Sequence, residues 1–126
     1  MKQNKFSFRS RLQSFTYAFN GLKIMMREEH NARIHLIAAL IAIFLSVFLN
    51  ISHTEWIAII LAIGFVFAME LINSSIENLS DFITSEKKEP IKKAKDLAAA
   101  GVMISSITAF IIGIIIFVPK FLVFAS

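Results

Sequence analysis

Glu70-Leu71-Ile72-Asn73-Ser74-Ser75-Ile76-Glu77-Asn78-Leu79-Ser80-Asp81 continues, without a helix breaker, the apolar run from Trp56 to Met69. At ~100° per residue, Glu70, Asn73, Glu77 and Asp81 fall within an arc of roughly 80°, a single stripe on one helix. An ionisable side chain inside a membrane segment costs about 2.5–3.5 kcal/mol on insertion scales, so such groups usually face a protein interior or a functional pathway. The stripe therefore marks both the fold, a membrane helix with a polar face, and the place to seek chemistry.

Composition agrees. Of 126 residues, 56% are hydrophobic and 17% charged, and the mean hydropathy of +0.69 exceeds that of soluble domains. The chain holds no cysteine, which excludes disulfide and thiolate-metal chemistry. A net charge of +4 in so apolar a chain reads as membrane topology rather than nucleic-acid affinity. The segment Met1 to Arg11 is basic, with Phe6 and Phe8, and lacks the apolar core and small-residue cleavage site of a signal peptide. It is expected to be retained.

Three stretches have the length of bilayer spans: Ala32 to Ile51, Trp56 to Ile76 and Leu97 to Val118. Lys2, Lys5, Arg9, Arg11, Lys23, Arg27 and Arg33 precede or open the first, and Lys87, Lys88, Lys92, Lys93 and Lys95 lie between the second and third. The connector Asn50 to Glu55 has no Lys or Arg, and Lys120 alone follows Val118. The positive-inside rule places the N-terminus and second connector in the cytoplasm and the C-terminus outside, with Trp56 at the outer interface. Phe8, Leu12, Phe15, Phe19, Leu22 and Met26 recur every three or four residues, opposite Arg9, Arg11, Asn20, Lys23 and Arg27. That pattern predicts an amphipathic helix over about 8–28 lying on the anionic leaflet; a helix docking on a cytoplasmic partner is the alternative.

Pro90 suits the first turn of the third helix. Gly101, Ser105, Ala109 and Gly113 give that helix a small-residue face for close packing within or between subunits. Three spans enclose little volume, so an oligomer is expected to seal the polar stripe from lipid.

Depth assigns roles along the stripe. Glu70 lies ~21 Å and Glu77 ~31 Å along the helix from Trp56. Against a core of ~30 Å, Glu77 reaches the cytoplasmic boundary while Glu70 stays about 10 Å inside. This suits an enzyme that joins a buried lipid alcohol to a water-soluble donor. Glu28-Glu29 should lie near the same boundary, where a carboxylate paired with Glu77 would suit Mg²⁺ completed by phosphate and water. Lys92, Lys93, Lys95 and Asp96 stand at the entrance of the third span, though topology alone accounts for such lysines. No phosphate-binding glycine loop is present, because Gly21, Gly64, Gly101 and Gly113 are isolated. His30, His35 and His53 show no metal-ligand spacing, and Asn73 taken alone reads as interhelical glue.

From Arg11 to about Val118 the chain resembles the small prokaryotic integral-membrane diacylglycerol kinases, a family that includes undecaprenol kinases. The resemblance rests on Glu70-x2-Asn73-x3-Glu77-x3-Asp81 followed by Ala94-Lys95-Asp96-x-Ala98-Ala99-Ala100. It implies an all-α homotrimer of three-span subunits with surface helices, sites shared between neighbours, and transfer of the ATP γ-phosphate to a lipid hydroxyl. By matching position, Glu70 resembles the general base and Asn73 a substrate-orienting neighbour. Glu77 and Glu29 resemble the Mg²⁺ ligands, Glu29 being preferred to Glu28 because it stands four before Arg33. Tyr17, Glu29, Glu77, Glu86, Lys88, Lys95 and Asp96 resemble nucleotide contacts, and Arg9 and Arg11 bracket a further one.

Two departures stand out: Glu86-Lys87-Lys88 where many members have Glu-x-His, and Ser75 where alanine is common. Diacylglycerol, giving phosphatidic acid in phospholipid metabolism, is the first expectation for the substrate. Undecaprenol is the alternative, because Glu29-x-Asn31-x-Arg33-x-His35 looks like that branch. A small oligomeric transporter with Glu70 as its ion site is the rival class, and it leaves Glu77, Lys95 and Asp96 without a role. The expected setting is the bacterial inner or cytoplasmic membrane.

Overall fold

The computed structural model describes residues 6–126 and contains four helices: α1 (Phe8–Glu28), α2 (His30–Phe48), α3 (His53–Ile83) and α4 (Glu89–Ala125). Lys2 and Lys5 of the basic arm lie outside the described residues. α2, α3 and α4 are each long and apolar enough to cross a membrane. Their surfaces leave residues such as Phe44, Ile60, Phe110 and Ile115 exposed, a pattern suited to lipid, where every backbone group is satisfied within the helix itself.

The joints follow from local chemistry. α1 starts at Ser7, whose hydroxyl accepts from the Ser10 N–H at 3.4 Å. It stops at Glu29, a single extended residue (φ −102°, ψ 110°) that also opens α2. Arg33, one turn into α2, folds back on α1. Its Nε donates to the Met26 carbonyl at 2.8 Å and its Nη2 to the Arg27 carbonyl, satisfying acceptors that a helix end leaves orphaned. Met25 is buried at this joint, while Phe8, Leu12, Phe15 and Phe19, the N-terminal part of the apolar stripe of α1, remain exposed.

α2 ends three residues short of the expected Ile51. Asn50 takes a positive φ of 51°, which asparagine tolerates better than most residues. The Asn50 N–H bonds the Val47 carbonyl and the Ile51 N–H the Ser46 carbonyl, each at 3.2 Å. That is a Schellman stop. Ser52 then starts α3 in a reciprocal capping box with Glu55, and Glu55 also meets Lys120 at 3.0 Å, tying the start of α3 to the far end of α4.

α3 is longer than its apolar run and carries Glu77 and Asp81 on its last turns, beyond the expected span limit at Ile76. α4 begins at Glu89 with Pro90 in its first turn, so Lys92, Lys93 and Lys95 precede the apolar stretch. It also continues past the expected end at Val118, through Pro119, to Ala125.

The principal pairing is between α3 and α4. Gly101 leaves room at this seam for the tip of the Met69 side chain, which a β-carbon there would meet. Ser105, one turn on, is fully buried and returns its hydroxyl to the Val102 carbonyl at 2.8 Å, leaving no orphan. At the other end Ile51, Ile59 and Ile116 form an apolar cluster with Trp56 and Phe117. Ala109 and Gly113, the rest of the small-residue face, line a cavity instead.

Candidate active site

The stripe on α3 faces the interior of the bundle at Glu70 and Asn73 and comes to the surface at Asp81. Glu70 is 1% and Asn73 7% exposed, which places a carboxyl and an amide where neither lipid nor water reaches freely. Glu70 Oε1 and Asn73 Oδ1 have no hydrogen-bond partner among the described residues. Buried polar atoms are normally satisfied, so two such acceptors one turn apart on α3 single out this part of the stripe. His35 of α2 approaches most closely. Its Nε2 lies 3.2 Å from Glu70 Oε1, without hydrogen-bond alignment, and 3.4 Å from the Ser106 hydroxyl of α4.

His35 and Ser106 also form the polar end of a cavity of about 550 Å³. All its other lining residues are apolar or glycine, among them Leu45, Ala62, Val66, Phe110 and Phe117, contributed by α2, α3 and α4. An apolar cavity thus ends beside the deeply buried Glu70 carboxyl.

Two turns along the stripe from Glu70, Glu77 is half-buried and meets Glu29 across the α1–α2 joint. Glu29 is pushed up to about 7, first by burial, then by the hydrogen-bonding and charge of Glu77 and the charge of Glu70, against a lowering contact from Ser74. Two carboxyl groups held together in this way favour a cation between them. Glu28 goes elsewhere, accepting from Asn78 Nδ2 at 3.2 Å, so the joint presents Glu29 to Glu77. Among the described residues no group of three or more His, Asp or Glu is arranged to hold a metal. The pair suits Mg²⁺ when phosphate and water complete the shell.

The remaining sequence candidates are placed around this centre. Lys95 Nζ bonds Asp81 Oδ1 at 2.7 Å, which brings an ammonium within electrostatic reach of Glu77. Asp96 lies on a different face: it pairs with Lys92 at 2.6 Å and lines a shallow groove with Glu89, Lys93 and Leu97. Glu86 and Lys88 pair with each other at 3.3 Å in the connector. Tyr17, Arg9 and Arg11 are exposed on α1. Glu29, Asn73, Glu70 and Glu77 are therefore gathered in one chain, with Lys95 close, while Glu86, Lys88 and Asp96 bond to other partners and Tyr17 is exposed.

His35, Ser106 and Arg33 carry roles that the sequence left unassigned. A trace of the first existed: Ala32, Ala39 and Ser46 recur every seven residues and are all buried, and His35 sits between the first two on that same helical face.

The model of the prokaryotic diacylglycerol kinase family matches residues 16–117. The chain is 37% identical to an undecaprenol kinase of Bacillus subtilis, over 86% of this chain and 88% of the relative. It is 38% identical to a diacylglycerol kinase of Helicobacter pylori over 84% of each. Against a diacylglycerol kinase of Escherichia coli the identity is 30%, over 88% and 91%.

Proposed function

From the premise that this chain belongs to the prokaryotic diacylglycerol kinase family, and is therefore a membrane lipid kinase, we propose that it phosphorylates undecaprenol at the cytoplasmic boundary. Diacylglycerol is the second reading, supported by the names of other relatives. The observation that carries the choice is the likeness to the Bacillus subtilis undecaprenol kinase, taken with the Glu29-x-Asn31-x-Arg33-x-His35 stretch. The apolar cavity that ends at His35 and Ser106, beside Glu70, offers the hydrocarbon of either lipid a seat next to its hydroxyl.

In this reading the lipid hydroxyl lies between the Glu70 and Asn73 side chains. Its proton passes to the Glu70 carboxylate as its oxygen attacks the γ-phosphorus of ATP, and the bond from that phosphorus to the β-phosphate oxygen breaks to release ADP. Burial strengthens Glu70 as a base by removing competing water. Asn73 orients the hydroxyl by donating its amide N–H to the hydroxyl oxygen.

Glu29 and Glu77 would hold Mg²⁺, which would supply charge neutralisation at the phosphates, the principal demand of phosphoryl transfer. Lys95 lends positive charge beside them. Tyr17, Glu86, Lys88 and Asp96, with Arg9 or Arg11, contact the nucleotide when the cytoplasmic segments close over it. The working unit is a homotrimer with its N-terminus in the cytoplasm. Three apolar spans with this much exposed surface leave ample area for subunit packing, and α1 lies on the membrane through Phe8, Leu12, Phe15 and Phe19.

The test is a competition. Purified protein in lipid micelles receives γ-labelled ATP with undecaprenol and diacylglycerol at equal mole fraction. Preferential labelling of undecaprenol is expected; preferential labelling of diacylglycerol reverses the order of the two readings.

A further inference from the structure

We infer that His35 is a positioning residue for the candidate base, holding the Glu70 side chain as a hydrogen-bond acceptor at the head of the lipid cavity. The inference rests on the kinase reading above and deepens it. Its basis is a count of hydrogens. The Ser106 hydroxyl spends its hydrogen on the Val102 carbonyl, 2.8 Å away. The same Oγ stands 3.4 Å from His35 Nε2 and can face it only as an acceptor.

Nε2 then carries a hydrogen of its own, shared between the Ser106 oxygen and the other oxygen in its reach, Glu70 Oε1, which lies at 3.2 Å and off-line. Turning that donor toward Glu70 favours the lone-pair form that a base needs. The alternative, a protonated Glu70 donating to a bare Nε2, leaves Nε2 and the Ser106 oxygen facing each other with no hydrogen between them. Ser106 thus selects the tautomer and His35 passes that choice to Glu70, in the way a third group orients a base elsewhere.

Geometry also explains why the contact is off-line now. Glu70 Oε1 is unaligned with Nε2, and catalytic hydrogen bonds commonly tighten only when substrate is bound. His35 is both a lining residue of the cavity and the neighbour of Glu70, so a lipid hydroxyl arriving from the cavity reaches the pair together. No charged group on α4 competes at this point. Lys95 is committed to Asp81, and the other carboxyls acting on Glu70 are Glu77 on its own helix and Glu29 at the α1–α2 joint.

The experiment measures kcat and both KM values for lipid phosphorylation in micelles by wild type, His35→Ala, His35→Gln, Ser106→Ala and Glu70→Gln, with His35→Ala also assayed in added imidazole. Thermal melting in the same micelles monitors folding. His35→Ala is expected to lose about tenfold or more in kcat, less than the roughly 100-fold or more expected of the acid–base group it positions, with KM for ATP unchanged. His35→Gln, which keeps an N–H donor, recovers part of that loss, as does added imidazole. Ser106→Ala, which frees the tautomer, loses severalfold.

Adding His35→Ala to Glu70→Gln costs nothing further, because the two act as a unit. Full kcat in His35→Ala with a raised lipid KM overturns the inference and leaves His35 as a wall of the cavity. So does a loss that neither glutamine nor imidazole repairs. If His35→Ala does not fold, full kcat in both His35→Gln and Ser106→Ala, with no effect of imidazole, overturns it equally. Retained activity in Glu70→Gln is a different failure: it removes the base assignment on which the inference stands.

Discussion

Glu29, the single extended residue between α1 and α2, meets Glu77 of α3 closely enough for the two carboxyl groups to share a proton. Burial, then Glu77 and Glu70, push Glu29 up to about 7 from an ordinary value of 4.5. The sign follows from linkage. A carboxyl whose folded-state value is raised contributes stability below its unfolded value, and that contribution fades as pH rises through the folded one. Without Mg²⁺ the protein is therefore expected to melt at lower temperature as pH rises from 5 to 8. In the proposed reading Mg²⁺ would replace the shared proton, so its apparent affinity should rise across the same range. Melting scans with and without Mg²⁺ check both statements, and Glu29→Gln should flatten the pH slope and raise the Mg²⁺ needed for half-maximal activity.

Arg33 fastens α1 to α2 through the Met26 and Arg27 carbonyls, so its loss should loosen the surface helix before it disturbs the bundle. Arg33→Ala is expected to speed amide exchange along α1 and to leave exchange in α3 and α4 unchanged. Arg33→Lys should restore little, since one ammonium does not reproduce a forked guanidinium on two carbonyls.

Gly101 sets the distance between α3 and α4. A β-carbon there meets only the flexible tip of Met69, so Gly101→Ala is expected to cost little, and combining it with Met69→Ala to cost no more than Met69→Ala alone. Gly101→Leu has no such relief and should destabilise by about 1–3 kcal/mol, the usual range for overpacking. Thermal melting in micelles reads the difference.

Much of this architecture was legible because helices announce themselves by period. The apolar runs, the 8–28 stripe and the polar face of Glu70, Asn73, Glu77 and Asp81 all depend on residues a few positions apart, and the described helices carry them. Helix ends were harder. The Schellman stop at Asn50 cut α2 short, and Pro119 did not end α4, because each outcome depends on local backbone geometry that hydropathy does not encode.

Contacts between helices were hardest. Pairing Glu29 rather than Glu28 with Glu77 followed the Arg33 register, and the joint places Glu29 accordingly, with Glu28 on Asn78. Nothing local linked His35 to Glu70 or Ser106, which meet only when three helices assemble. Lys95 and Asp96, adjacent in sequence, lie on different helical faces with different partners. In the proposed reading the two would meet one nucleotide only with a neighbouring subunit or a bound ligand in place.

That expectation has its own test. Glu70→Gln and Lys95→Ala subunits, each inactive alone, should recover part of the wild-type activity when co-assembled if one chain supplies the base and another the lysine. Absence of recovery, in oligomers shown by affinity tags to be mixed, would confine each site to a single chain.

The central claim, that Glu70 is the base of a lipid kinase, is tested most directly by single-turnover transfer of labelled γ-phosphate to undecaprenol in wild type and Glu70→Gln. The account predicts rapid labelling in wild type and a rate lower by about 100-fold or more in Glu70→Gln, the scale of a lost general base, with melting temperature and oligomeric state preserved. Undiminished transfer in Glu70→Gln, or labelling of neither undecaprenol nor diacylglycerol by wild type, would contradict it.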